Sequence, residues 1–227
     1  MENTLFALAL PSLLLVPAMG LASRLKCRRG IGNELKRKAL HICTGLAALT
    51  FPVFLTSPWQ ICTALGVVVA WMIVVRISPS LRSGIGACLH DSQRISYGEI
   101  YFALSVAALL LMTGERPLLY IIPLLILTFA DAAAAIIGRL WPFGPLRGFA
   151  NGKTLSGCMA FAAVTFLITQ IALRSFTDLS LLHTIGVALA MAVTGCIAEL
   201  AGRRGFDNVL IPAVSFVTFL LLDVPGT

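Results

Sequence analysis

Charged side chains are scarce in this sequence of 227 residues, because Asp, Glu, Lys and Arg together account for only 12% of it. A typical soluble domain carries about twice that fraction, roughly 25%. No segment is polar enough, or long enough, to form a separate soluble domain. Since 58% of the residues are hydrophobic, the composition excludes an ordinary soluble globular protein and predicts an integral membrane protein with several spans.

Cysteine motifs for metal binding or redox chemistry are also missing. The six cysteines are scattered, no two have C-x-x-C spacing, and no histidine lies close enough to complete a zinc set. At least four fall inside apolar runs, where cysteine packs as a small apolar residue, so we predict no disulfides. Basic patches interleaved with aromatic residues are absent too, so we do not expect the net charge of +7 to serve nucleic-acid binding.

Long apolar runs fill most of the chain. Because an isolated span must satisfy its own backbone hydrogen bonds, each run is predicted to be a helix. The predicted fold is an all-α bundle of about eight transmembrane helices, with seven possible, forming one integral membrane domain over residues 1–227. The runs cover residues 4–23, 39–56, 59–76, 99–113, 117–138, 155–173, 181–200 and 208–223.

Lysine and arginine fall almost entirely on one side of these runs. A basic cluster lies between the first and second runs, and the positive-inside rule makes that loop cytoplasmic. Because this cluster follows the first run, we read the run as a retained span and not as a signal peptide. Alternation then leaves only Arg116 and Arg174 outside, so 15 of the 17 basic residues are inside. The pattern predicts both termini outside.

Ionisable residues near the runs gather at this same cytoplasmic boundary, and Asp131 is the most informative of them. It lies about 10 Å inside the predicted end of the fifth run, at a depth where an ionisable group marks a functional site. The alanines 132–135 follow it, and such small residues let neighbouring backbones approach closely. Magnesium prefers carboxylate oxygen, so we predict that Asp131 is a metal ligand.

The segment Asn151-Gly152-Lys153-Thr154, which opens the sixth run, has the composition of a phosphate-binding loop. Gly152 permits close backbone approach and Lys153 supplies a positive charge. Thr154 can cap the following helix, whose first amides are suited to phosphate oxygens. The spacing of the glycines does not match a Walker A loop. The alternative interpretation is an ordinary basic loop with a helix cap.

Polar residues at the second and fourth runs add to this boundary. Glu34, Lys38 and His41 have the i, i+4, i+7 spacing that places them on one helix face. The alternative interpretation is a solvated juxtamembrane helix with an ion pair. Glu99 follows Gly98 and begins the fourth run, where a carboxylate also favours a helix N-terminus.

Two further polar positions lie at the cytoplasmic ends of the last two runs. Glu199 ends the seventh run, and the pair Asp207-Asn208 begins the eighth. Carboxylates, magnesium and lysine are the groups that handle a nucleoside triphosphate. These residues therefore predict a cytoplasmic-facing phosphate site, and the surrounding lipid-exposed helices indicate that the second substrate is a lipid.

The order of these segments resembles the family of CTP-dependent lipid-alcohol kinases, which includes dolichol kinase, phytol kinase and CTP-dependent diacylglycerol kinase. The similarity runs from about residue 34 to residue 216. A related pattern from the aspartate to the lysine occurs in phosphatidate cytidylyltransferase. The matching segments are ELKRKALH (34–41), YGE (97–99), DAAAAIIGR (131–139), NGKTLSG (151–157) and DNVLIP (207–212).

The resemblance implies a membrane-bound transferase that moves the γ-phosphate of CTP to the hydroxyl of a polyprenol, a phytol-like isoprenoid or diacylglycerol. Mg²⁺ would be held by Asp131, Glu199 and Asp207. Lys153 and the amides after it would neutralise transition-state charge, and His41 or Glu99 would accept the hydroxyl proton. The implied nucleotide and phosphate contacts are Arg37, Lys38, Arg139, Gly152, Lys153, Thr154 and Asn208, and the supporting residues are Glu34, Gly98, Gly138 and Gly157.

Two alternatives stay open at this point. A phosphatidate cytidylyltransferase would use the same residues, but attack would occur at the α-phosphate of CTP. A membrane transporter would use Asp131 as a proton or cation site. We find no internal repeat, and the polar residues lie at one boundary instead of the midplane, which argues against the transporter.

Overall fold

The computed structural model describes residues 2–24, 32–84, 97–146 and 152–224, and the chain within these ranges is helical, with no strand. Two of the described segments meet in an isolated antiparallel bridge between Pro145 and Thr154. The predicted all-α class is therefore confirmed for this part of the chain. Asn151 of the predicted phosphate loop lies outside the described residues. The chain divides into two compact units, Met1–Met112 and Thr113–Thr227.

The first unit is built from six described helices. In it, α1 packs against α2 and α4, and α4 packs against α6. A capping arrangement starts α4, where the Ser57 amide donates to Gln60 Oε1 at 3.1 Å and Pro58 occupies the first helical position. The helices are α1 (Glu2–Arg24), α2 (Gly32–Ala48), α3 (Phe51–Phe54), α4 (Pro58–Ile77), α5 (Pro79–Ser83) and α6 (Gly98–Met112).

The second unit contains the remaining helices, and α9 forms its centre by packing against α8, α10 and the π-helical turn. Thr154 and Ser180 cap α9 and α10 with their side-chain oxygens, which accept from the backbone amides of Gly157 and His183. The helices are α7 (Pro117–Leu125), a π-helical turn (Ile126–Ala130), α8 (Asp131–Leu140), α9 (Leu155–Phe176), α10 (Leu181–Ala201) and α11 (Asp207–Leu221).

Five of the described helical segments are long and apolar enough to cross a membrane. The predicted spans 99–113 and 208–223 correspond to the shorter apolar helices α6 and α11. The predicted span 39–56 is interrupted after Ala48, where α2 ends before α3 begins. The count of eight spans and the placement of both termini outside stay predictions. The five long segments are Thr4–Ala22, Pro58–Ile77, Pro117–Leu140, Leu155–Phe176 and Leu181–Ala201.

Candidate active site

Asp131 is the first residue of α8 and directly follows the π-helical turn. Before that turn, Pro123 lacks an amide hydrogen. Within it, the Thr128 hydroxyl donates to the Leu124 carbonyl at 2.7 Å. A π turn inserts one extra residue, which rotates everything after it by about 100° around the helix axis. The turn therefore sets the face on which Asp131 lies, and this side chain is only 3% exposed.

Three carboxylates from three helices converge in the second unit. Asp131 begins α8, Glu199 lies in the last turn of α10, and Asp207 begins α11. One carboxylate oxygen from each residue lies within 4.8 Å of the others. Asp131 and Glu199 are buried, and Asp207 is partly exposed, so the cluster is open to solvent at Asp207.

Lys153 supplies positive charge beside this carboxylate cluster. Its ammonium nitrogen lies 2.7 Å from Glu199 Oε1 and also donates to the Glu199 backbone carbonyl. The other carboxylate oxygen, Glu199 Oε2, is buried and has no hydrogen-bond partner among the described residues. When all four side chains are ionised, three negative charges and one positive charge leave two negative charges in the cluster.

The composition and spacing of the carboxylate cluster fit a divalent cation. Carboxylates so close together repel one another strongly in surroundings of low dielectric constant, and buried charges need compensation. Mg²⁺ prefers oxygen ligands, and its charge equals the excess negative charge of the cluster. The unpartnered Glu199 Oε2 is a buried oxygen that a cation could satisfy. The donor set is therefore suited to Mg²⁺.

The loop before α9 adopts a conformation that depends on glycine. Gly152 has φ of +84°, a left-handed value that glycine adopts readily. The carbonyl of Lys153 accepts from the Leu146 amide at 2.9 Å. Thr154 has an extended backbone, and its Oγ1 accepts from the Gly157 amide at 3.2 Å. The helix cap that the sequence indicated at Thr154 is therefore present.

The first amides of α9 differ from the sequence-based expectation. The Leu155 amide donates to the Gly144 carbonyl at 2.9 Å, and the Ser156 amide donates to the Phe143 carbonyl at 3.3 Å. These donors are engaged because the chain after α8 folds back against residues 153–156 as an antiparallel bridge. Since the protein already uses these amides, Lys153 is the group of this segment that is suited to bind phosphate.

Gly138 and Gly157 allow α8 and α9 to approach each other closely. A Cβ atom added to Gly157 would lie 2.9 Å from the Ala134 carbonyl oxygen, and one added to Gly138 would lie 2.8 Å from Thr154 Oγ1. Both distances are shorter than ordinary van der Waals contacts. The two glycines therefore support the site by holding the cap of α9 against the helix that carries Asp131.

Gly202, which caps the end of α10, has a similar role against the start of α11 and was not among the residues predicted from the sequence. A Cβ atom at Gly202 would lie 2.4 Å from the Cβ of Asp207 and 2.6 Å from its Cα. Any other residue there would displace Asp207 from the carboxylate cluster. The available signal was a glycine placed between two predicted ligands on successive helices.

Asn208 and Arg139 occupy different environments at this end of the second unit. Asn208 is buried at the start of α11, and its backbone amide donates to Asp207 Oδ1 at 3.2 Å. It therefore helps to orient a member of the carboxylate cluster. Arg139 lies in the last turn of α8 and is exposed.

The predicted residues of α2 lie in the first unit. Glu34 and Lys38 are 8% and 2% exposed, so these two side chains are not solvated as the alternative interpretation expects. Arg37 donates to Glu34 Oε1 at 2.5 Å. The ring of His41 meets Phe102 edge-to-face, with 5.0 Å between the ring centroids. The buried polar face of α2 is therefore part of the interior of the first unit.

Glu99 is held by an arginine that was not among the predicted site residues. Arg76, near the end of α4, donates to Glu99 Oε1 at 3.0 Å. Its guanidinium also lies 4.1 Å from the centroid of the Tyr97 ring, a cation–π contact. Gly98 is buried between Tyr97 and Glu99. The signal for Arg76 was its predicted position at the same membrane boundary as Glu99.

The structure thus brings together Asp131, Lys153, Glu199 and Asp207, with Thr154 and Asn208 beside them in sequence. It places Glu34, Arg37, Lys38, His41 and Glu99 in the first unit. These features define an all-helical protein whose longest helices are apolar enough to cross a membrane. Its second unit carries an acidic site that is suited to a divalent cation.

Comparison with known proteins shows similarity to a lipid-alcohol kinase. The chain is 28% identical over 181 residues to phytol kinase from Synechocystis sp., and the match covers 79% of this chain and 75% of that protein. No protein-family model matches the chain. No solved structure matches it either. The similarity to phytol kinase confirms the resemblance to the lipid-alcohol kinases that the five sequence segments indicated.

Proposed function

We propose that this chain is a membrane-bound kinase that transfers the γ-phosphate of CTP to the hydroxyl of a lipid alcohol at the cytoplasmic face. The observation that carries this proposal is the assembly of Asp131, Glu199 and Asp207 beside Lys153. The similarity to phytol kinase supports the kinase class. The substrate class comprises polyprenols such as dolichol, phytol-like isoprenoids and diacylglycerol.

The carboxylate cluster would hold Mg²⁺ through Asp131, Glu199 and Asp207. When bound, the ion neutralises negative charge on the phosphate oxygens of the nucleotide. The protein contributes three ligands from three different helices, so the packing of α8, α10 and α11 sets the distances between the oxygens. The partly exposed Asp207 leaves a side of the cluster open for the phosphates.

Lys153 would bind the phosphoryl group that is transferred. Its ammonium group contacts Glu199 and is itself partly exposed, so it can reach a phosphate without leaving the cluster. In the reaction the alcohol oxygen forms a bond to the γ-phosphorus, and the bond from that phosphorus to the bridging oxygen breaks. CDP leaves with the bridging oxygen, and a positive group near the transferred phosphoryl stabilises the charge that spreads over its oxygens.

The hydroxyl proton of the alcohol needs an acceptor, for which we propose His41 or Glu99. Glu99 has one carboxylate oxygen engaged by Arg76, whereas His41 contacts Phe102 through its ring. Substituting them separately, as His41→Ala and Glu99→Gln, distinguishes the two, because loss of the true base lowers kcat about 10²-fold or more. Arg37, Lys38 and Arg139 are proposed as further phosphate contacts.

The nucleotide preference is tested by direct competition. Purified protein in lipid nanodiscs is given Mg²⁺, a long-chain isoprenoid alcohol and equal concentrations of CTP and ATP that carry different γ-labels. We expect the phosphorylated alcohol to carry mainly the label from CTP. A lipid product labelled mainly from ATP would support a kinase that uses ATP, and not CTP, as the phosphate donor. A lipid product with no label from either nucleotide would contradict the proposal that the protein is a kinase.

A further inference from the structure

An apolar groove lies between α9 and α10 in the second unit. It has a volume of about 680 Å³, and all of its lining residues are apolar. Small side chains at Ala162, Ala163 and Ala192 leave a recess beside bulkier residues such as Phe166 and Leu189. This volume lies within the range of small-molecule binding sites, about 300–1,000 Å³. Both helices are long and apolar enough to cross a membrane, so the groove lies at the depth of lipid chains.

One end of this groove reaches the turn of α10 that carries Glu199, a member of the carboxylate cluster. Cys196 and Leu200 line the groove, and they flank Glu199 on α10, one turn before it and one residue after it. Cys158 on α9 contacts Cys196, with 3.9 Å from the Cys196 sulfur to the Cys158 carbonyl oxygen. Cys158 also lies one turn after Thr154, the cap of α9. The groove therefore begins within about one helical turn of the charged site.

The other end of the groove lies deeper along α10. Its lining extends from Leu200 back to Leu189, which is about 16 Å along the helix. A molecule that fits this shape has a polar end next to Glu199 and Lys153, and one extended apolar chain along α9 and α10. A long-chain alcohol has that form, whereas a neutral hydrocarbon has no group for the charged end.

We propose that the groove between α9 and α10 binds the hydrocarbon chain of the lipid alcohol, with its hydroxyl end at the carboxylate cluster. This inference rests on the proposed kinase function and adds the subsite that selects chain length. Because its lining residues form one continuous stretch along α9 and α10, the groove accommodates a single-chain alcohol. The distance of a lining residue from Glu199 along α10 then indicates which part of the hydrocarbon chain it contacts. Val193 lies about 9 Å from Glu199 along the helix, and Leu189 lies about 15 Å from it.

The test blocks the groove at these two depths. Val193→Trp and Leu189→Trp each add bulk at a lining position that is already more than half exposed, at 59% and 52%. Ile171→Trp is the matched control, because Ile171 on α9 is 64% exposed and lies outside the lining. kcat/KM is measured for a series of isoprenoid alcohols of increasing chain length.

Val193→Trp is expected to lower kcat/KM about tenfold or more for long alcohols and to leave short ones unaffected, because each methylene excluded from the groove loses its burial. Leu189→Trp is expected to lower kcat/KM by a similar factor, but only for alcohols longer than those affected by Val193→Trp. Ile171→Trp is expected to leave kcat/KM unchanged for every chain length. Equal losses for all chain lengths, or the same loss in Ile171→Trp, would contradict the proposal.

A second measurement does not depend on turnover. An isoprenoid alcohol with a photoreactive group at its chain end is irradiated with wild-type protein in nanodiscs, and the labelled peptides are identified. We expect labels in 162–167 or 189–193 that unlabelled long-chain alcohol competes away. Labelling of the same peptides by a photoreactive phospholipid, with no competition from alcohol, would mean that bilayer lipid fills the groove and would overturn the inference. If wild-type protein phosphorylates no alcohol, the proposed function fails, while this labelling still decides the groove.

Discussion

At the scale of single residues, Asp131 is the most informative member of the carboxylate cluster. It is nearly fully buried, and it shares its surroundings with the carboxylates of Glu199 and Asp207. A purely structural role would not require three carboxylates within 4.8 Å of one another. A cation bound among them would account for both the burial and the convergence.

The first prediction concerns the charge of Asp131. Asp131→Asn keeps the size of the side chain but removes one ligand charge, so we expect kcat to fall about a thousandfold or more. Asp178→Asn is the matched control, because Asp178 is an exposed residue between α9 and α10. Initial rates of lipid phosphorylation are measured, and gel filtration checks that both variants remain folded. If Asp131→Asn has an activity near that of wild type, the proposed role of Asp131 as a metal ligand is contradicted.

Substitution of Lys153 is predicted to change the affinity for a divalent cation in the direction opposite to that expected for Asp131→Asn. Lys153→Met removes the positive charge that contacts Glu199, so the cluster becomes more negative and should bind Mn²⁺ about tenfold more tightly while turnover falls. Lys153→Arg keeps the charge and should leave the affinity close to that of wild type. Asp131→Asn should weaken Mn²⁺ binding in the same experiment.

Mn²⁺ binding to the purified variants is measured by electron paramagnetic resonance, without nucleotide or lipid. Unchanged affinity in both Lys153→Met and Asp131→Asn would show that the divalent cation does not bind at this cluster. Weaker binding in Lys153→Met would contradict the electrostatic relation between Lys153 and the carboxylates.

At the scale of elements, close packing of α8 and α9 holds the site together. The glycines of these helices face the cap at Thr154 and the Ala134 carbonyl, with no room for a Cβ atom. Gly186 on α10 provides the contrast, because a Cβ atom added there would meet no heavy atom within 4 Å. Glycine is therefore required by packing at Gly138 and Gly157 and not at Gly186.

The resulting prediction compares two substitutions of the same kind. Gly157→Ala is expected to lower the free energy of unfolding by about 1–3 kcal/mol, because the added methyl group forces α8 and α9 apart. Gly186→Ala is expected to raise it by about 0.5–1 kcal/mol, because alanine stabilises a helix interior relative to glycine. Thermal unfolding of the purified variants measures both. A Gly157→Ala protein as stable as Gly186→Ala would contradict the packing argument.

Much of the site could be predicted from the sequence, because rare polar residues in apolar runs have few functions. Asp131, Glu199 and Asp207 all stood at one predicted membrane boundary, and the structure brings their carboxylates together. The engagement of the α9 amides could not be predicted, since it depends on how the chain after α8 folds back. The Arg76–Glu99 ion pair joins residues 23 positions apart, which spacing alone does not reveal.

The elements themselves were only partly predictable. Hydrophobic runs indicated helices correctly, but the π-helical turn before Asp131 has no periodic signal in the sequence. The groove between α9 and α10 was also hidden, because its depth depends on which alanines of two separate helices face each other. Such features come from packing between helices and not from the pattern within one of them.

At the scale of the whole molecule, the distribution of charge predicts how the chain is oriented. Arg203 is predicted to face the cytoplasm, next to the carboxylate cluster in sequence, and Arg116 is predicted to face the opposite side. A bilayer orientation of this kind would give the cluster access to cytoplasmic CTP. It would also leave the groove between α9 and α10 within reach of membrane lipids.

Orientation is tested by introducing single cysteines into a variant that lacks the six native ones. Arg116→Cys is expected to react with a membrane-impermeant maleimide on intact cells or right-side-out vesicles. Arg203→Cys is expected to react only after the membrane is permeabilised. Both positions are exposed, so failure to label is not explained by burial. Reaction of Arg203→Cys in sealed vesicles would reverse the predicted orientation.

The central claim is that the γ-phosphate of CTP is transferred to a lipid alcohol, and position-specific labelling tests it most directly. CTP with different labels on its α- and γ-phosphates is added with Mg²⁺ to the purified protein, together with polyprenol, phytol, diacylglycerol or phosphatidate. The lipid phase is then extracted and counted. We predict that the γ-label, without the α-label, appears in one of the alcohols. The α-label in a lipid formed from phosphatidate would instead establish a cytidylyltransferase and contradict the claim.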